Sequence, residues 1–146
     1  MRWVFLVISL TFTECLFSQA NKQDKVDVAI GCGIVGYSSP QIIELRKLDS
    51  LKDYTAIRNK LFKGSNQDML IAAVMLTEYV GMKRIILSKS ETVKLKAIKT
   101  SQQQYSLCYT CTVHLKGTFA QLFSTNSAKH RPVFSSYCII KENVLN

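Results

Sequence analysis

Residues 51–81 read LKDYTAIRNKLFKGSNQDMLIAAVMLTEYVG, and the way this stretch folds decides the architecture of the chain. Leu51, Tyr54, Ile57, Leu61 and Phe62 recur at spacings of three and four, along one face of a helix, while Lys52, Thr55, Asn59 and Lys63 fall largely on the other. Gly64 ends that helix. Ser65 and Asp68 then stand as a capping box: the hydroxyl accepts the third residue's N–H, and the carboxylate lies near the positive end of the next helix. Met69 to Leu76 contains no polar side chain, so the second helix is apolar all round and has to be covered on several sides. The pattern predicts a mainly α protein, a small helical bundle around a central helical hairpin.

Ahead of the hairpin, Ser39 and Pro40 read as a cap and a first helical position, with Ile42, Ile43 and Leu45 on the apolar side and Leu48 at the exit. Three helices are expected in succession: Pro40 to Lys47, Leu51 to Lys63 and Asn66 to Val80. The segment Tyr54-Thr55-Ala56-Ile57-Arg58 followed by Ala72-Ala73-Val74-Met75-Leu76 resembles the antiparallel pairs of HEAT-like helical repeats over about one repeat. The resemblance implies paired helices. No second copy of the unit is visible in the sequence, so a compact bundle is the reading.

After Gly81, Ser88 and Glu91 form a second capping box that predicts a helix to about Lys99, although Val93, Leu95 and Ala97 alternate in a way a strand would also satisfy. On a helix, these lysines form a solvated face. Tyr105, Leu107, Tyr109, Cys111, Val113 and Leu115 alternate with polar or small residues, the clearest strand periodicity in the chain and a short β element around the C-x-x-C. Thr118 to Phe123 suits a short helix. Ser135 to Leu145 suits a closing helix or a strand near Tyr137 to Ile140.

The N-terminus has the pattern of a secretory signal peptide. Arg2 supplies the positive start, Val4 to Leu10 the apolar centre, and Ser18-Gln19-Ala20 the cleavage site. An apolar centre of about ten residues is short for a bilayer span of roughly 20, so a secreted or periplasmic protein with no transmembrane segment after cleavage is expected. Residues 21–146 then form a single helical domain with a loose N-terminal segment to about residue 38. Cleavage removes Arg2 and Glu14 together, leaving the net charge at +9. That field favours anionic surfaces, and it also keeps the chain soluble; the basic residues are spread along the sequence.

Val26-Asp27-Val28-Ala29-Ile30 has the look of a short strand, and Gly31-Cys32-Gly33-Ile34-Val35-Gly36 matches G-x-G-x-x-G. The match resembles the dinucleotide-binding turn of flavin and nicotinamide enzymes over this dozen residues. Pro40 would interrupt the helix such a turn begins, and no acidic strand end follows about 20 residues on. The glycines are therefore read as turns in a flexible or edge segment, and no cofactor is expected.

With Cys15 in the leader, Cys32, Cys108, Cys111 and Cys138 remain as disulfide candidates, and four cysteines permit three pairings. In an unbroken strand, Cys108 and Cys111 would lie about 10 Å apart, beyond the roughly 7 Å a bridge tolerates, and would pair with Cys32 and Cys138. A turn at Tyr109-Thr110 would permit a local bridge instead. The same pair admits a thiol-exchange reading, and with His114 and either Cys138 or His130 an incomplete zinc set.

These features lead to an exported binding or structural protein without catalysis. Its partner would be a protein or an anionic envelope component, with no specific nucleic acid. Lys83, Arg84, Lys94, Lys96, Lys99, Lys129 and Arg131 are the candidate contacts. The competing class is an exported thiol-disulfide or zinc protein centred on Cys108 and Cys111.

Overall fold

The computed structural model describes residues 25–31, 38–109 and 113–124. Residues 1–24, with the expected signal peptide, 32–37, with most of the glycine motif, 110–112, and 125–146, with the expected closing helix or strand, lie outside these residues. Among those described, five helices and a three-stranded sheet follow in the order β1 (Val26–Ile30), α1 (Pro40–Ser50), α2 (Tyr54–Lys63), α3 (Asn66–Gly81), α4 (Lys89–Lys99), β2 (Gln104–Tyr109), β3 (Val113–Thr118) and α5 (Phe119–Phe123). The protein is mainly α, and no described helix is long and apolar enough to cross a membrane.

α3 is the centre of the packing. Its capping box is complete: the Ser65 hydroxyl accepts from the Asp68 N–H, and the Asp68 carboxylate accepts from the Ser65 N–H at 2.9 Å. Leu70 to Leu76 are buried, and α1, α2, α4 and β1 all pack on this helix. Each fully buried aliphatic side chain of this kind contributes about 1.5–3 kcal/mol. At its start, a side chain on Gly64 would meet the Asp68 Cβ at 2.4 Å and the Lys60 carbonyl at 2.8 Å, so glycine is what allows α2 and α3 to approach so closely.

The helix boundaries correct the reading of residues 47–54. α1 runs on to Ser50, Leu51 caps its end and is 66% exposed, and α2 starts only after Asp53, whose carboxylate accepts from the Ala56 N–H at 2.9 Å. The N–H of Asp53 returns to the Leu48 carbonyl and that of Lys52 to the Asp49 carbonyl, with Lys52 in the left-handed region at φ 54°. This is a Schellman ending with lysine where glycine is usual. α3 ends the same way: Arg84 donates to the Tyr79 carbonyl, Lys83 to the Val80 carbonyl, and Lys83 has φ 55°.

Val26–Ile30, which has the look of a short strand within the loose N-terminal segment, forms a strand at the edge of the described sheet. Val26, Val28 and Ile30 are buried, and β1 runs parallel to β2 in a register that sets Val28 beside Leu107. Its backbone is also engaged by side chains. The Ala29 N–H donates to the Ser39 hydroxyl (2.8 Å), the Gly31 N–H to the Ser38 hydroxyl (3.1 Å), and the Gln67 amide to the Asp27 carbonyl. Ser39 stands at the N-cap of α1, but its hydroxyl serves β1, leaving Pro40 to fix the helix start.

Tyr105 to Leu115 is two strands, not one. β2 and β3 pair antiparallel with Leu107 opposite Leu115 and Cys108 opposite His114. Under the helices, Tyr105 and Leu107 join the core.

One buried polar pair ties α1 to α3. Asp49 accepts the Tyr79 hydroxyl at 2.5 Å, and Tyr54 meets the Tyr79 ring edge-on at 5.1 Å between centroids. Burial, and then the hydrogen bond to Asp49, push the Tyr79 phenol far above its ordinary pKa, so it stays a donor at any ordinary pH.

Candidate functional site

α4 begins with the second capping box. The Glu91 carboxylate accepts from the Ser88 N–H at 2.7 Å, and the Ser88 hydroxyl accepts from the Glu91 N–H at 3.3 Å. That backbone hydrogen bond, opposed by burial and reinforced by the Ser88 hydroxyl and the Arg58 charge, holds the Glu91 carboxyl below the usual carboxylate range. Only Leu95 and Ile98 of this helix are buried. α4 is thus anchored along one narrow stripe.

On one flank of the helix lies a groove of about 760 Å³, within the size range of small-molecule sites. Thr77 and Val80 of α3, Ile85, Ile86 and Leu87 of the connecting loop, and Thr92 and Leu95 of α4 line it. Lys83, Lys96 and Lys99 complete the lining, and the Lys99 ammonium also lies 5.6 Å from the Phe123 ring centroid. The loop that forms one wall is held from behind. Arg58 of α2 donates to the Ile86 carbonyl at 3.1 Å and stands 3.7 Å from Glu91, while the Ile86 side chain is 90% exposed. An isoleucine fixed by its backbone and turned outward contributes little to the core.

The opposite flank of α4 carries a second, more open groove, lined by Phe62, Ser88, Lys89, Ser90, Val93, Lys94 and Ala97. Phe62, expected on the buried face of α2, is 48% exposed here. At 100° per residue, Lys89, Val93 and Lys96 share the outermost line of α4, so the helix stands as a ridge between the two grooves.

The expected cationic contacts divide accordingly. Lys83, Lys96 and Lys99 come together at the first groove, and Lys94 belongs to the second. Arg84 lines neither; its backbone closes α3. Lys129 and Arg131 lie outside the described residues. The sequence reading missed the apolar half of the site, Ile85 to Leu87, Phe62 and Val93. The available signal was Ile85-Ile86-Leu87 in a connector between two capped helices, where three successive apolar residues have no periodic reason to be.

Cys108 is a disulfide-bonded cysteine whose partner lies outside the described residues, as do Cys32, Cys111, Cys138 and His130. The strand break removes the geometric objection to a bridge between Cys108 and Cys111, since that objection required an unbroken strand. His114 is exposed on β3. Among the described residues no three His, Cys, Asp or Glu side chains are grouped to hold a metal ion.

Compared with protein-family models, with curated proteins and with solved structures, the chain matches none.

Proposed function

We propose that this is an exported, non-catalytic binding protein that takes the apolar part of an anionic amphiphile into the groove between α3 and α4. The observation that carries the reading is the composition of that groove: apolar side chains from Val80, Ile85, Leu87 and Leu95, with Lys83, Lys96 and Lys99 also in the lining and, among the described residues, no carboxylate. An apolar lining offers the hydrophobic gain of burying a hydrocarbon chain, and the cations favour a negative head left in water. This narrows the anionic envelope component expected from the net charge to a single-chain amphiphile.

Export rests on the leader pattern of residues 1–20, and a disulfide in the mature chain suits an oxidising compartment. The competing reading, a thiol-disulfide or zinc protein, centres on Cys108 and Cys111; mass mapping of the cysteines with and without reductant, together with metal analysis, separates the two. Bound zinc or a readily cycled bridge would support the competitor.

Calorimetric titration of the purified protein with dodecyl phosphate below its micelle concentration tests the proposal. Saturable binding at one site is expected, with dodecyltrimethylammonium binding much more weakly. Thr92, exposed at the groove's edge, gives the blocking variant: Thr92→Trp is expected to abolish binding without loss of fold. Equal affinity for the cationic amphiphile, or binding untouched by Thr92→Trp, would overturn the reading.

A further inference from the structure

We infer that the outer side of α4, with both its grooves, is a face on which the protein docks to an anionic bilayer surface. The inference rests on the amphiphile reading for the first groove, and adds to it the second groove and the ridge between them. Three observations support it.

The first is the gathering of exposed apolar side chains. Ile86 at 90%, Val93 at 62% and Phe62 at 48% exposed all belong to the two grooves or to the ridge, on elements otherwise well packed inside. The second is charge. α4 carries Lys89, Lys94, Lys96 and Lys99, Lys83 stands across the first groove, and among the described residues the lining of both grooves contains no Asp or Glu. The one acid of α4, Glu91, is occupied at the helix start with the Ser88 N–H and Arg58, so it does not offset the lysines. The third is rigidity. The Ile86 loop is tied at both its ends, by the Schellman closure of α3 and the capping box of α4, and in the middle by Arg58. The apolar tips are therefore presented without first being ordered.

Together these combine exposed apolar side chains with lysines along one helix and its two flanks, the composition by which an amphipathic surface sits at the boundary between headgroups and acyl chains. The lysines supply attraction to anionic lipid, and Phe62, Ile86 and Val93 supply shallow insertion. An acidic protein partner could use the same lysines and apolar side chains, and protein that stays unbound in the presence of anionic vesicles would favour it over the bilayer.

The test is co-sedimentation of the full protein with vesicles of phosphatidylcholine alone and of phosphatidylcholine with phosphatidylglycerol. Binding to the mixed vesicles only, falling in 0.5 M salt, is expected. The variant Lys89→Gln/Lys94→Gln lies outside the first groove and should weaken vesicle binding about 30-fold, roughly fivefold per lysine, leaving dodecyl phosphate binding unchanged. Val93→Asp should act in the same direction, with circular dichroism confirming an unchanged fold. Dodecyl phosphate binding without vesicle binding would overturn the docking face and leave the groove reading intact. Vesicle binding lost with Lys89→Gln/Lys94→Gln, but with no dodecyl phosphate uptake, would support the face and overturn the groove. Equal binding to neutral and anionic vesicles, or no effect of the ridge variants, would overturn the inference outright.

Discussion

α3 and α4 begin with the same device and come to opposite ends. Each opens on a serine whose hydroxyl and backbone are paired with an acidic residue three positions on, Ser65 with Asp68 and Ser88 with Glu91. Past that first turn, α3 presents apolar side chains in every direction and is surrounded, whereas α4 buries Leu95 and Ile98 and surrounds itself with lysine. A capping box therefore fixes where a helix starts and says nothing about what it is for. That depends on the width of the apolar stripe behind it: all round for a core helix, narrow for a helix whose outer face meets solvent.

The contrast is broken most forcefully in the core. Ile71→Ala or Leu76→Ala in α3 should cost about 2–5 kcal/mol in urea unfolding, whereas Val93→Ala on the ridge should stay within about 0.5 kcal/mol. Comparable losses at the two sites would abolish the distinction. Replacing Cys108 with alanine comes next, read in the same unfolding experiment. About 2 kcal/mol is expected if its bridge closes a short local loop, and about 4 kcal/mol or more if it reaches a distant cysteine, so the magnitude reports the partner.

Smaller effects compare the two caps directly. Ser65→Ala and Ser88→Ala should each cost about 1 kcal/mol, because each leaves a helix N–H without its acceptor. Tertiary packing should cushion neither. Lys83→Gly should raise stability by about 0.5–1 kcal/mol in thermal melts, since glycine accepts φ 55° without the steric cost lysine bears.

The smallest effect is a pH dependence. The folded Glu91 carboxyl lies below its ordinary value of 4.5, so on acidification the unfolded chain takes up the proton first. Its contribution is complete above about pH 4.5 and drains away as pH falls through the lower folded value. Melts of the wild type and Glu91→Gln should differ at pH 7 and converge as the pH falls below the folded value; a constant difference would remove the carboxylate from the account.

The comparison also explains what could be read from the sequence. Both capping boxes, the apolar run of α3, Pro40 at the start of α1 and the helix at Lys89–Lys99 are local signals, and they were legible. Boundaries failed where a helix closes on a lysine. Lys52 and Lys83 occupy positions that glycine ordinarily marks, so α1 was ended too early and Leu51 was assigned to the wrong element. The break between β2 and β3 was weighed only as an alternative, for a reason of parity: three residues separate Tyr109 from Val113, so odd-numbered positions pair with odd-numbered ones and the alternation continues from one strand to the next. Val26–Ile30 was legible as a short strand, but its partner, β2, lies far along the chain, and parallel pairing of that kind leaves no local trace. At the candidate site, periodicity found the lysines as a helix face, but the grooves depend on where α2 and the Ile86 loop lie relative to α4. No single stretch encodes that.

The most direct test of the account is amide chemical-shift mapping of the protein titrated with dodecyl phosphate. Shifts concentrated at Thr77, Ile85 to Leu87 and Thr92 to Lys99, with α1 and β1 still, are what a binding groove beside α4 predicts. Shifts centred on α1 or the sheet, or none at all, would contradict it.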